Sequence, residues 1–442
     1  MAAPQGICVA LDSNTLVEAP TWNRLDVDYK VTSWSIDRGR SYELDKTGTG
    51  VATIDIVDTT GAFDPTNTGG TFYGRIAPLK QAAIALQNPL TAAWSTLFRG
   101  FISSVQWVPY VTERHANVRL ELVDGMAILG AAEMTADGNW GDQVVAGEIQ
   151  FNEDLTTNAV QTRINKVLDQ ASWPSGLRQI FTGNVKLQQT RYPGRSQALN
   201  VILDAADAEF PGVSNVYVNS TGTFAFHGRL ARFDPDTTAT STAWDFTRWS
   251  AGDVTAVSAG TAVVPVSPPL TVVRDDANLF TSAVATPQNI VDADVSALVS
   301  TSSSGHTAYG MRTWSAENLV TAGGTANSSA TAVCKLFSNY YRDNYATPRT
   351  RVGQLTILPQ RRTGSVGTAT WAMMCGVDIS DVVHLKTTHY NVAGSATGGG
   401  FNDDFYVEGV HYEAAGPISG GVPNVTLTLD VSPTGYYGTS PF

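Results

Sequence analysis

Apolar and polar residues alternate with a period of two at both ends of the chain, and one such stretch is written twice. Residues 97–108 read LFRGFISSVQWV and are followed, after a polar turn, by NVRLELVD. Near the C-terminus FYVEGVHYE is followed, after a Gly/Pro-rich connection, by NVTLTLDV. In the second strand of each copy Val118, Leu120 and Leu122, or Val425, Leu427 and Leu429, fall on one face. Arg119 and Glu121, or Thr426 and Thr428, fall on the other, as a half-buried strand requires. Each copy also holds a glycine inside its apolar run, Gly100 or Gly409, the mark of a bulge or tight bend. The pattern predicts two related β-barrels, one at each end, with a different segment inserted between them.

The first 130 or so residues read as β throughout. YKVTSWSIDRG places Trp34 and Ile36 on one face and Ser33 and Ser35 on the other, and VATIDIVD alternates likewise. PLKQAAIALQN and the first repeat copy bring the total to five or six strands. Between them, DTTGAFDPTN is a cluster of turn residues. Asp58 and Asp64 can accept from nearby backbone N–H groups, Gly61 can take positive φ, and Pro65 fixes the exit. A calcium loop would need ligands at alternate positions and an acidic closing residue, and these are missing.

From residue 131 the period lengthens. Val160, Ile164, Val167, Leu168 and Ala171 share a helical face, with Thr156 or Thr157 as N-cap and an end before Trp173-Pro174. A second helix, capped by Ser196, carries Leu199, Ile202, Leu203, Ala206 and Phe210 toward a core and turns Asp204 and Asp207 to water. VSNVYVN, a turn at Ser220-Thr221-Gly222 and TFAFHGR then form a hairpin. Residues 241–325 read as short strands punctuated by Pro265, Pro268, Pro269 and Pro287. A third helix covers Ala330–Tyr345, with Val333, Leu336, Phe337 and Tyr340 on its face, before Pro348 stops it. RVGQLTILP and DISDVVHLK are strands, GSATGGG is a loop, and GYYGTSPF is a loose tail. The fold class is mainly β with an inserted α+β region, divided as 1–130 (first barrel), 131–240 (α+β), 241–345 (a second inserted segment that can add strands to the second barrel) and 346–442 (second barrel).

Length and composition narrow the function. The 442 residues suffice for about three domains. No stretch approaches the ~18 apolar residues of a membrane span. The N-terminus lacks the basic region and hydrophobic core of a secretory signal. Cys8, Cys334 and Cys375 lie too far apart in sequence to suggest a disulfide framework and read as buried thiols in a reducing compartment. A formal charge of −12, with no clustered Lys or Arg, argues against stable nucleic-acid binding. It suits a surface that nucleic acid slides past, as well as ordinary solubility.

Catalytic signatures are missing: there is no HExxH, CxxC, Walker loop or GxSxG elbow. His384 and His389 are poorly spaced for metal ligation, and His227 reads as a surface or strand-end residue. The glycines 398–400 lack the strand-then-helix context of a phosphate cradle. Asp275-Asp276 and Asp403-Asp404 are adjacent, so on a strand each pair points to opposite faces, unlike the carboxyls of a glycosidase cleft. Ten Trp and fifteen Tyr could stack on sugars, although Trp34 and Trp107 sit in alternating strands where core packing is usual. The reading is therefore no enzyme and no catalytic, cofactor-binding or metal-binding residues. Carbohydrate binding, or less readily a cell-wall glycoside hydrolase, is the alternative.

Several stretches together resemble a known family. WSIDRGRSYELDKTGTGVATIDIVDTTGAFDPTN is similar to the N-terminal signature of minor tail proteins of long-flexible-tailed (siphovirus-type) bacteriophages of high-GC Gram-positive hosts. FYGRIAPLKQAAIAL, LFRGFI and SQALNVILDAADAEFPGVSNVYVNSTGTFAFHGR continue the resemblance. YGMR (Tyr309 to Arg312), the helix before RVGQLTILP, and DISDVV with FYVEGVHYE extend it to the C-terminal half. The resemblance implies a structural baseplate or tail-tip hub protein of the virion, with two tail-tube-like β-barrels per chain plus hub domains. It implies a homotrimeric, pseudo-sixfold ring at the distal end of the phage tail, assembled in the host cytoplasm. It also implies partners: a distal tail protein or tail tube above, and tip, fibre and tape measure proteins nearby. The ring would surround a DNA-ejection channel lined by acidic or small polar side chains, without cofactors.

Overall fold

The computed structural model describes residues 3–110, 112, 114–156, 158–233, 247–252, 263–274, 276–290, 292–324, 329–359, 364–388, 399–415 and 424–434. The fold is mainly β with a few helices. One 13-stranded sheet runs through both ends of the chain. Its strands are β1 (Ile7–Val9), β2 (Asn23–Arg24), β3 (Lys30–Gly39), β4 (Val51–Asp58), β5 (Gln81–Gln87), β6 (Trp94–Tyr110) and β7 (His115–Val123). The C-terminal half supplies β8 (Arg248–Gly252), β9 (Val264–Pro265), β10 (Gln354–Ile357), β11 (Val382–Lys386), β12 (Asn402–Ala415) and β13 (Asn424–Pro433). The pairing order is β9-β8-β11-β12-β3-β4-β7-β6-β5-β1-β2, with β13 on the other edge of β12 and β10 beyond it. After β9, Ser267 bridges Thr356 of β10. The C-terminal set of strands is thereby drawn back upon itself.

The two repeat copies are the hairpins β6-β7 and β12-β13. Their shared alternation does what the pattern predicts: Val118, Leu120, Leu122, Val425, Leu427 and Leu429 are all buried in one continuous core. Strand pairing fixes the equivalence residue by residue. Ser104, Val105, Gln106, Trp107 and Val108 face Glu121, Leu120, Arg119, Val118 and Asn117. His411, Tyr412, Glu413, Ala414 and Ala415 face the matching residues Thr428, Leu427, Thr426, Val425 and Asn424. The glycines are not equivalent. Gly409 follows the bulge at Glu408, whereas the bulge in β6-β7 lies at Ser103. Gly100 instead marks the corner where β6 leaves β5 and joins β7. A Cβ there would strike the Val123 carbonyl and the Phe98 ring.

The two modules meet edge to edge. The C-terminal half of β12, Gly409–Ala415, pairs antiparallel with Gly39–Ser33 of β3, while its N-terminal part pairs with β11. At the top of this seam two glycines face each other. Gly39 has φ +103, and a Cβ on it would fall on the Glu408 carbonyl and 2.7 Å from Gly409 Cα. Only glycine tolerates both that conformation and that approach.

Helices cover the rest of the core. Gly125–Ala131 (α1), Ala159–Gln170 (α2), Ala198–Glu209 (α3) and Ala330–Tyr345 (α4) pack into a second cluster with the hairpin Asn215–Val218/Phe224–His227. The predicted stripes are largely buried: Val160, Ile164, Val167 and Leu168 on α2, Ile202 and Ala206 on α3 with Phe210 at its end, and Val333, Phe337 and Tyr340 on α4. The predicted caps Thr156 and Ser196 are not used. α2 starts at Asn158 and α3 at Gln197, neither with a side-chain cap, and Thr157 lies outside the described residues. Ser329, not singled out in the sequence, caps α4 by accepting from the Ala332 N–H. Asp204 is half-buried, and the Tyr192 hydroxyl donates to it at 2.9 Å. Residues 247–324 hold the expected short strands and also two short helices, Asp292–Leu298 and Ser303–Tyr309. Gly364–Gly376 (α5) lies under the seam, where the Tyr412 hydroxyl donates to the Met374 carbonyl.

Gly39→Ala is expected to destabilise the protein by ~1–3 kcal/mol from backbone strain alone, plus the cost of opening the seam. Gly74→Ala, at φ +69 with open space around it, is the matched control. Urea unfolding of the two variants should show the Gly39 change to be clearly the larger.

Candidate functional site: the seam and its polar face

The seam is held from its buried side by one carboxylate. The bulge at Glu408 turns its side chain inward, where it is fully buried. Arg40, just past the end of β3, donates to it at 2.8 Å through Nε, and Arg232 approaches at 3.1 Å. Ser432 of β13 also donates to it. Arg40 reaches the Asp45 and Gly212 carbonyls as well, and the Arg232 guanidinium stacks over the Tyr406 ring at 4.4 Å. A single cluster thus ties both modules to the helical region. Burial alone would raise the Glu408 pKa, but the two guanidinium groups and the Ser432 hydroxyl hold it down at about 2. Nearby, Arg38 pairs with Asp378 at 2.8 Å.

The opposite face of the seam is largely polar: two rows cross the six strands β6-β7-β4-β3-β12-β13, and a third crosses β3-β12-β13-β10 and is broken on β4 by the exposed Val51. One row of register partners runs Gln106, Arg119, Asp55, Ser33, Ala415, Asn424. The next runs Ser104, Glu121, Thr53, Ser35, Glu413, Thr426. A third includes Asp37, His411, Thr428 and Thr356. Hydrogen bonds stitch the rows: Ser33 to Asp55 at 2.7 Å, Arg119 to Asp55 at 2.8 Å, and Gln354 to Asp430 at 2.9 Å. His411 spans the seam itself, with Nδ1 3.1 Å from Asp37 and Nε2 2.7 Å from Asp430. Those two hydrogen bonds, Asp37 first, raise its pKa to about 9. Five carboxylates (Asp37, Asp55, Glu121, Glu413, Asp430) face one guanidinium and one imidazole here, so the surface is acidic and its side chains are mostly short.

The residues singled out in the sequence occupy structural positions. Asp58 accepts from the backbone N–H groups of Thr60, Gly61 and Phe63, and Asp64 from Thr66, so both organise the turn. Among the described residues no group of three metal-ligating side chains occurs. His227 ends a strand but is buried, not on the surface: it contacts the Tyr217 hydroxyl at 3.2 Å, and burial pushes its pKa down to about 3. His384 pairs with Asp404 at 2.8 Å, and Arg248 also donates to Asp404; His389 and Asp275 lie outside the described residues. Asp403 and Asp404 border an open cleft of about 560 Å³ with Phe401 and Thr434. Trp34 is buried in the core and Trp107 is half-buried against it. Burial raises the thiols of Cys8 and Cys375 to about 11 and that of Cys334 to about 12. No helix of the described residues is long and apolar enough to cross a membrane.

No family model and no curated protein matches the chain by sequence. Solved structures do match it along almost its whole length. The 43 kDa tail protein of prophage MuSo2 from Shewanella oneidensis aligns with a TM-score of 0.51 at 9% identity, covering 98% of this chain and 100% of that one. The tail protein from Neisseria meningitidis MC58 aligns with a TM-score of 0.50 at 10% identity, covering 98% of both chains. The chain shares the fold of these two tail proteins. At such identity the likeness is one of architecture.

Glu408→Gln removes the carboxylate that two buried guanidinium groups share and is expected to cost ~3–5 kcal/mol at neutral pH. Because the folded-state pKa lies below the ordinary 4.5, Glu408 stabilises the wild type above pH 4.5, and this is lost as pH falls toward 2. The variant should therefore show a flatter acid limb in pH-dependent urea unfolding. His411 has the opposite sign: its contribution is complete below pH 6.5 and is lost as pH rises through 9. His411→Asn should flatten that alkaline limb, and it should also flatten part of the acid limb, because the same hydrogen bond lowers the Asp37 pKa.

Proposed function

We propose that the chain is a structural hub of a phage tail tip or baseplate, three copies of which form a ring around the path of the genome. The observation that carries this reading is the polar face: two related sheet modules, joined edge to edge, present one acidic surface of short side chains. Three chains would supply six modules, a pseudo-sixfold geometry able to meet a hexameric tube, while the other face keeps threefold symmetry for a tip or fibre. Heterologous contacts between copies close such a ring if the rotation per copy is right. The tail-protein fold supports a place in the virion tail. The resemblance of the sequence to minor tail proteins supports its distal end, with a distal tail protein or tube, tip or fibre proteins and the tape measure protein as neighbours. The role is adaptor and conduit, without turnover.

Light scattering should give the mass of three chains, and negative-stain images a threefold ring with an open centre. A monomer at every concentration tested, or a ring whose centre is not bordered by the Asp37–Glu413 face, would overturn the reading. With the ring formed, Glu121→Lys/Glu413→Lys is expected to make the protein retain duplex DNA in low salt, lost again as salt rises, whereas the parent does not. A gel-shift assay checks this.

A further inference from the structure

Residues 10–22 leave the sheet as a loop whose two ends meet. β1 and β2 pair antiparallel with Val9 opposite Asn23, so the loop is closed at its base by one strand pair, as in an Ω-loop. Between those ends it pairs with no strand. Side chains at the start of β5 and in β6 hold it instead, by its carbonyl groups. Lys80 donates to Ser13 at 3.0 Å, Gln81 to Thr15 and Val17 at 2.8 Å, and Arg99 to Val17 and Glu18 at 2.9 Å. Gln81 also accepts from Arg99, whose guanidinium lies 5.7 Å from the centre of the Trp22 ring. Asp12 pairs with Arg75 at 2.7 Å. On the other flank Leu16 packs against the helical cluster, and a small cavity remains among Leu16, Val17, Phe101, Trp173 and Leu177. Gly176 leaves the room that the Glu18 carboxylate occupies.

We propose that residues 10–22 are a lid, and that the seat beneath it, formed by Lys80, Gln81 and Arg99, takes an acidic polypeptide segment of another protein when the lid swings out. Two features make the present cover replaceable. The loop can turn about the Val9–Asn23 pair without breaking any strand pairing. Among the described residues, neither Lys80 nor Arg99 has a carboxylate within ion-pair distance; neutral carbonyls stand in for counter-ions. Burial lowers the Arg99 pKa against the opposing effect of the Glu18 charge, so the guanidinium is under-compensated where it sits. A carboxylate in place of a carbonyl would supply the missing full charge. Withdrawal of Asp12 with the lid would free Arg75 as a third cation beside the other two. The seat already grips a polypeptide by its backbone, and Phe101, Trp173 and Leu177 give it an apolar flank, which suits a peptide better than a nucleic acid. Charges beyond ~8 Å are screened at physiological ionic strength, so a short segment meets chiefly these cations, whereas a long polyanion also meets the surface of a chain of formal charge −12.

The test uses the full chain and a fluorescein-labelled hexaglutamate peptide at physiological salt, read by fluorescence anisotropy. Glu18→Cys/Gly176→Cys closes the lid covalently when oxidised and frees it when reduced, because Gly176 lies against the Glu18 side chain. Binding by the parent and by the reduced variant, lost on oxidation, is the expected result. Lys80→Gln/Arg99→Gln should weaken binding about tenfold or more, as the loss of two charge-assisted hydrogen bonds implies. Lys80→Gln alone keeps Arg99 in place and should weaken it by a smaller factor. No binding by the parent, or binding that survives either the oxidation or the double substitution, would overturn the proposal. A single-stranded DNA hexamer that binds more tightly than hexaglutamate, and is likewise shut out by oxidation, would give the seat to nucleic acid and overturn the choice of partner.

Discussion

A carboxylate with no exposure to water, placed between two guanidinium groups, is the constraint on which the architecture turns. Taking Glu408, Arg40 and Arg232 out of water is unfavourable for each alone, and only their mutual placement makes the burial tolerable. That placement demands three separate pieces of chain at one point: the end of β3, the bulge of β12 and the short helix Leu230–Phe233. No alternative register of β3 on β12 satisfies it. A one-residue slip would also turn the buried row Trp34, Ile36 to the polar side. Electrostatics and hydrophobic pattern thus specify the same seam independently, which is how a long, otherwise slippery strand pairing is made unique.

What the sequence disclosed is what period and burial control. The alternating strands, the stripes of α2 and α4 and the hairpin around Gly222 could all be placed, because each buries one face and so writes its geometry into the order of apolar residues. The seam was not legible. β3 and β12 are some 370 residues apart, and nothing in a period-two pattern names the strand that will lie alongside. Nor did the motif reading bring Glu408, Arg40 and Arg232 together, since buried ion pairs between distant segments have no local spacing. A weak signal existed: charged residues stand inside apolar runs, as in FYVEGVHYE.

The same limits explain the particular misses. His227 resembled a strand-end surface residue because its neighbours beyond the hairpin, Phe181 among them, are remote in sequence. Ser196 and Thr156 looked like caps because their residue types favour that role, but here the helices begin one or two residues later. The two interior glycines looked equivalent. One turns a corner between sheet partners, while the other makes room for the backbone of Arg40 and the carboxylate of Asp430. A shared residue in a duplicated module need not keep a shared task.

The register between β3 and β12 also has a consequence in time. During translation the N-terminal strands emerge with one border of their sheet unsatisfied, and the segment that will cover it, Gly409–Ala415, is made some 370 residues after Gly39. The nascent module must survive that interval with a naked border and the apolar row of Trp34 and Ile36 lacking the helix α5 that will shield it. Premature capture of that border by another nascent chain would yield an exchanged dimer, so the spacing of chains on a polysome and the presence of a holding chaperone bear directly on the yield of correctly closed protein.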